Sequence, residues 1–145
     1  MQTTLTHLDH MAFEVEVEGH RFIVDAAPAQ GGEDRGPRPK PLMLAALAGC
    51  TGMDVVSILT KMRQTWTRFQ VRTEAEITDE HPRVFQGYTI VFDIDGDVDP
   101  ARLARAVALS RDRYCGVSAM YRSHAPVLVK VILNGVEQPE PPPAE

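Results

Sequence analysis

The chain has 145 residues, enough for one domain that buries its own core without disulfide staples. Aromatic residues make up 6% of it, so Leu, Val, Ile, Ala and Met must supply most of the packing. With 15 basic against 20 acidic side chains the formal net charge is −5, which argues against nucleic acid or an anionic membrane surface as a partner.

The first residues, Met1 to His7, show no basic segment followed by an apolar stretch, so no signal peptide is expected. No window is expected to reach the length that spans a bilayer. The expected compartment is therefore the cytoplasm, where thiols stay reduced and a standing structural disulfide is out of place. Phe13, Val15 and Val17 alternate with Glu14 and Glu16, the pattern of a strand with one buried face. Glu18-Gly19 turns the chain into a second strand, His20 to Asp25, giving a hairpin. Ala26 to Pro39 is rich in Gly, Pro and charge and reads as a loop.

Leu42 to Arg63 holds no proline and is apolar nearly all round in its first half, the mark of a helix buried on several sides. Pro41 stands at its first turn, where a missing N–H costs nothing. Ala45, Ala46, Ala48, Gly49 and Gly52 would let another helix or strand come close. One protomer of this size has too few elements to cover such a helix, so a second copy is expected to supply the rest, as a homodimer. Phe69 to Ile77 and Tyr88 to Ile94 alternate as two amphipathic strands joined by a turn at Asp79 to Pro82. Asp99-Pro100 caps a helix running to about Arg113, with Leu103, Val107, Ser110 and Tyr114 on one face. A short helical segment from Cys115 to about Arg122 and a last strand, Pro126 to Leu133, follow. The domain is read as residues 1–136. Residues 137–145, with four prolines, are read as a disordered tail.

Cys50 and Cys115 are the only two cysteines, and each sits in a run that reads as a helix entrance. Such a pair is either core filling or a two-thiol reaction centre. Asp54, one turn after Cys50 on the same helix face, would raise the Cys50 pKa unless a cation neutralises it. Arg21, Arg35 and Arg38 are the candidate cations. Cys115 follows Arg111 and Arg113, which gives it the better local electrostatics. The two are 65 positions apart, so they form no Cys-x-x-Cys motif. Asp93, Asp95, Asp97 and Asp99 look like a calcium loop, but Gly96 falls at the fourth place and Ala104 at the twelfth, so a solvated turn is the reading. A zinc site from Cys50, Cys115 and one or two histidines has no ligand spacing behind it, so no metal is expected. Gly31-Gly32 is no phosphate cradle, since no Gly-Lys-Ser/Thr follows.

The run Gly36 to Leu59, with Leu47-Ala48-Gly49-Cys50-Thr51-Gly52-Met53-Asp54 at its centre, resembles the OsmC/Ohr family. So does Leu109-Ser110-Arg111-Asp112-Arg113-Tyr114-Cys115-Gly116-Val117-Ser118. The resemblance spans roughly Phe13 to Leu133. It implies an α+β fold in which antiparallel sheets wrap long central helices in an intertwined homodimer. It also implies a thiol peroxidase without a cofactor, in which Cys50 attacks an organic hydroperoxide, or more weakly hydrogen peroxide. Cys115 would resolve the sulfenate as a disulfide, and an external dithiol would reduce it. Leu47, Met53 and Val56 would favour a greasy substrate tail. The family's peroxidases carry a glutamate shortly before the helix cysteine; here that place is Pro41. They also carry a Gly-Gly-Arg-like strand, absent here, where Arg21 follows His20. The chain thus resembles the family's less-characterised branch. Two rival readings stay open on the same fold: a non-enzymatic binder of a small hydrophobic ligand, and a redox sensor that cycles its disulfide.

Overall fold

The computed structural model describes residues 1–144. It is a mixed α+β structure with two sheets and three α-helices, and its residues group into two compact units, Met1–Met43 and Leu44 onward.

The first unit is a three-stranded antiparallel sheet in the order β1-β2-β3, with β1 at Thr3–His7, β2 at Phe13–Val17 and β3 at His20–Val24. The hairpin expected at Glu18-Gly19 forms. Both residues take positive φ (50° and 82°), the conformation a two-residue turn between twisted strands requires. Strand β1 was not visible in the sequence. Its residues are all exposed, so no buried face leaves a pattern, and it is held by pairing Thr3 through His7 with Val17 through Phe13. After β3 the buried Asp25 carboxylate accepts backbone N–H groups from Ala26, Glu33 and Arg35, which fixes the glycine-rich loop.

Helix α1 covers Pro39–Lys61, starting three residues before the expected Leu42. Both Pro39 and Pro41 fall in its first turn, where their missing N–H groups leave no hydrogen bond unmade. An 18-residue window of α1 has a mean hydropathy of 1.9, so by length and composition it is apolar enough to cross a bilayer. That overturns the expectation that no window would be. Only 22% of that window is buried, however, and the buried residues of the whole helix (Leu47, Thr51, Gly52, Val55, Leu59) face the protein's own core.

The second unit holds a four-stranded sheet in the order β4-β5-β6-β7: Arg68–Ile77, Phe85–Asp95, Val127–Leu133 and Val136–Glu137. The expected antiparallel pairing of β4 with β5 is present. Strands β5 and β6 pair in parallel, which corrects the expectation of purely antiparallel sheets. The chain between them crosses back through two helices, α2 (Pro100–Leu109) and α3 (Gly116–His124), and a crossover of that length returns a strand in the same direction. Ile90, Val91 and Phe92 are buried in succession, as befits a central strand. The core joins Leu47, Val55 and Leu59 of α1 to Ile90, Phe92 and Ile94 of β5, Leu103 and Val107 of α2, and Val129 and Val131 of β6. Asp99 caps α2 as expected, its side chain accepting from Arg102 N–H at 2.8 Å. In the acidic run, Asp93 and Asp95 pair with Arg68 and Asp99 serves as the cap.

Candidate active site

Cys50 and Asp54 lie one turn apart on α1, so both side chains leave the same face of a regular helix. The turn between them is anchored from inside: buried Thr51 donates its hydroxyl to Leu47 O at 2.9 Å. Gly52 lets the helix approach β4; a Cβ there would stand 3.2 Å from Val71 Cγ2.

Cys115 is placed by a departure from α-helix geometry. Helix α2 ends at Leu109, and Ser110–Tyr114 form a single π-helical turn, closed by Cys115 N–H donating to Ser110 O, five residues back, at 2.9 Å. Such a turn shifts the side-chain register that follows it. Leu103, Val107 and Ser110 are buried together as expected, but Tyr114 is swung out to 61% exposure. Cys115 then becomes the N-cap of α3, its Sγ accepting from Ser118 N–H at 3.2 Å. The cap role of sulfur replaces the expected first helical residue.

These two devices bring the groups together. The Sγ atoms of Cys50 and Cys115 and a carboxylate oxygen of Asp54 all lie within 4.8 Å of one another. Ser110, carried by the π turn, donates its hydroxyl to Asp54 Oδ2 at 3.1 Å, with the Thr51 carbonyl oxygen a further acceptor at 3.4 Å. Cys50 is half-buried and Cys115 is 3% exposed. Burial pushes the Cys115 thiol up to about 12; a hydrogen bond to the Cys50 side chain adds to the rise, and the Ser118 N–H pulls against it. Negative charge on Cys50 or Asp54 would hold the Cys115 proton still more firmly.

The favourable electrostatics expected at Cys115 are therefore absent. Arg111 donates through Nε and Nη2 to the two Asp112 oxygens, both at 2.8 Å, and to the carbonyls of Pro141 and Pro142. Arg113 is exposed. Asp112, with Arg111 and Arg122 beside it and the Ala144 N–H donating to it, is lowered to about 2, its bond with Arg111 being the largest cause. Of residues 137–145, read from the sequence as a disordered tail, Pro141, Pro142 and Ala144 bond to the Arg111–Asp112 pair and Glu137 joins Val136 in β7, while Glu145 lies outside the described residues. Composition alone hides this, because the anchors lie about 30 residues upstream.

Of the arginines considered for Cys50, Arg21 pairs with Glu14 and Glu16, and Arg35 with Asp9, Asp25 and Glu33, so both are committed within the N-terminal unit. Arg38 is exposed. Leu47 is wholly inside the core and offers nothing to a substrate, whereas Met53 is 76% exposed. Sequence reasoning missed Ser110 as the partner of Asp54, since only the π turn brings it there. No histidine joins the sulfur cluster among the described residues.

Residues 31–130 match the family model of OsmC-like proteins. Protein YhfA of Escherichia coli K12 is 35% identical over 122 residues, 83% of this chain and 88% of that protein. The crystal structure of a hypothetical protein from Aquifex aeolicus VF5 superposes with a TM-score of 0.82 at 24% identity, covering 92% of this chain and 95% of the other. An organic hydroperoxide resistance protein OsmC from Legionella pneumophila superposes with a TM-score of 0.67 at 18% identity, covering 91% and 97%.

Proposed function

The chain belongs to the OsmC-like protein family, and from that premise we propose that it is a thiol peroxidase acting on organic hydroperoxides. The Cys50 thiolate attacks the peroxide: an S–O bond forms as the O–O bond breaks, leaving a Cys50 sulfenic acid and an alkoxide, which takes a proton from solvent to become the alcohol. The Cys115 sulfur then attacks the Cys50 sulfur. The S–S bond forms, and the departing hydroxide leaves as water with the Cys115 proton. An external dithiol returns both thiols and is itself oxidised to a disulfide.

The observation that supports this reading is the closeness of the two sulfurs in contrasting surroundings. Cys50 is the accessible one. Cys115 is buried and its Sγ lies within 4.8 Å of the Cys50 Sγ, near enough to trap a sulfenate there as its own proton passes to the leaving hydroxide. Exposed Met53, one turn from Cys50, offers an apolar contact for the organic part of a substrate. The reading places the protein in a reducing compartment, the cytoplasm. It also takes the protein to be a homodimer. Ala46, Gly49, Ser57 and Thr60 are exposed small residues along one side of α1, and a second copy of α1 fits that face. Sedimentation at twice 16.1 kDa is expected, and a monomer at micromolar concentration would contradict the pairing.

With cumene hydroperoxide and a small dithiol, Cys50→Ser is expected to lose turnover. Cys115→Ser is expected to be oxidised once and then to drift to sulfinic acid. Full turnover by Cys50→Ser would sink the proposal. One-time oxidation of the wild type without recycling by any dithiol would favour a redox sensor instead.

A further inference from the structure

We propose that Cys50, Asp54 and Cys115 form, in the reduced protein, a site for a thiophilic divalent cation, with zinc the best fit. Three donor atoms from three side chains lie within 4.8 Å of one another. Tetrahedral zinc, with Zn–S near 2.3 Å and Zn–O near 2.0–2.2 Å, sets its ligand atoms about 3.5–3.8 Å apart. Closing the cluster onto a metal therefore takes side-chain movements of about 1 Å or less. The frame is rigid where it needs to be: two donors stand one turn apart on a long α-helix, and the third is the N-cap of α3.

The surroundings match what outer partners do at metal sites. Ser110 donates to Oδ2 of Asp54, which orients the carboxylate and leaves Oδ1 available. Ser118 N–H donates to Cys115 Sγ, a contact that a thiolate ligand also accepts. Two sulfurs with one carboxylate select zinc, or its spectroscopic substitute cobalt, over magnesium, calcium or manganese. Three protein ligands leave a fourth position for water or an external thiol. Binding displaces the two thiol protons to solvent and involves no electron transfer. The same two sulfurs that a peroxide would oxidise are then tied up, so metal and peroxide exclude one another. Asp54 is the ligand that a search for histidines in the sequence passes over.

The test is a cobalt(II) titration of reduced, metal-free protein, followed by displacement with zinc. One cobalt per chain with intense sulfur-to-cobalt charge-transfer absorption is expected, bleached by one equivalent of zinc. Asp54→Asn, which keeps both thiols, is expected to weaken binding at least about 10-fold, the scale on which even outer partners count. His81→Ala is expected to leave it unchanged. Absence of the charge-transfer band, or the same affinity in Asp54→Asn, would overturn the site. Should Asp54→Asn fail to fold, wild-type protein with both thiols alkylated decides: a lost band supports the site and a retained one overturns it. The titration contains no peroxide, so its outcome is independent of whether the protein turns over hydroperoxides.

Discussion

The two cysteines sit 65 positions apart in the chain and their sulfurs lie within 4.8 Å in space, yet the backbone presents them in opposite ways. Cys50 rides on the side of a continuous helix, half-open to solvent. Cys115 closes a π-helical turn and caps the next helix, almost wholly buried, with its thiol pushed up to about 12. A regular element exposes a thiol; an irregular one hides its partner and aims it. The difference teaches that proximity alone does not assign chemistry here. It is burial of Cys115, more than any nearby cation, that sets the two thiols apart.

The largest expected effect is in thiol reactivity. At pH 8 a group titrating at about 12 is thiolate in about one molecule in ten thousand. Timed alkylation with iodoacetamide followed by peptide mass mapping is expected to label Cys50 first, with Cys115 slower by at least about 100-fold. Equal labelling rates in the native protein would erase the distinction. A second way to break it is through the core beneath the π turn. Leu103, fully buried in α2, is expected to cost about 2–4 kcal/mol as Leu103→Ala, measured by urea unfolding. Cys115 should then label faster, because α2 leads directly into the π turn that places it.

The smallest effect concerns the clamp next to Cys115. The Arg111 guanidinium lowers Asp112 from its ordinary 3.8 to about 2 in the folded protein, so its contribution is present above about pH 4 and is lost as pH falls toward 2. Discounted for its partial exposure, that contribution is about 1–2 kcal/mol. Asp112→Asn should lower stability by this amount at pH 7 and flatten the loss between pH 4 and pH 2, read from unfolding curves across that range. An unchanged acid limb would mean that the Arg111–Asp112 pair does not hold the tail.

Much of this was legible in the sequence, for physical reasons. Alternation gave β2, β4 and β5, and Asp99-Pro100 gave the start of α2, because buried faces and caps leave local marks. The two cysteine motifs identified the family, which the family model confirms. What the sequence hid was non-local or irregular. Strand β1 has no buried face, and the hairpin into β7 was passed over although Asn134-Gly135, both at positive φ, is a strong turn signal. The π turn cannot be read from a 3.6-residue period. Missing it misplaced Tyr114, and it hid the link from Ser110 to Asp54. Arg111 reads from the sequence as a cation for Cys115 because it is near in the chain; its guanidinium is turned to Asp112 and the C-terminal carbonyls instead.

The most direct measurement treats reduced, metal-free protein with a slight excess of cumene hydroperoxide and follows intact mass together with the free-thiol count. The account predicts a rapid loss of two hydrogens and of both thiols, the signature of a Cys50–Cys115 disulfide. Thiols that persist, or a slow gain of oxygen toward sulfinic and sulfonic acids, would contradict it.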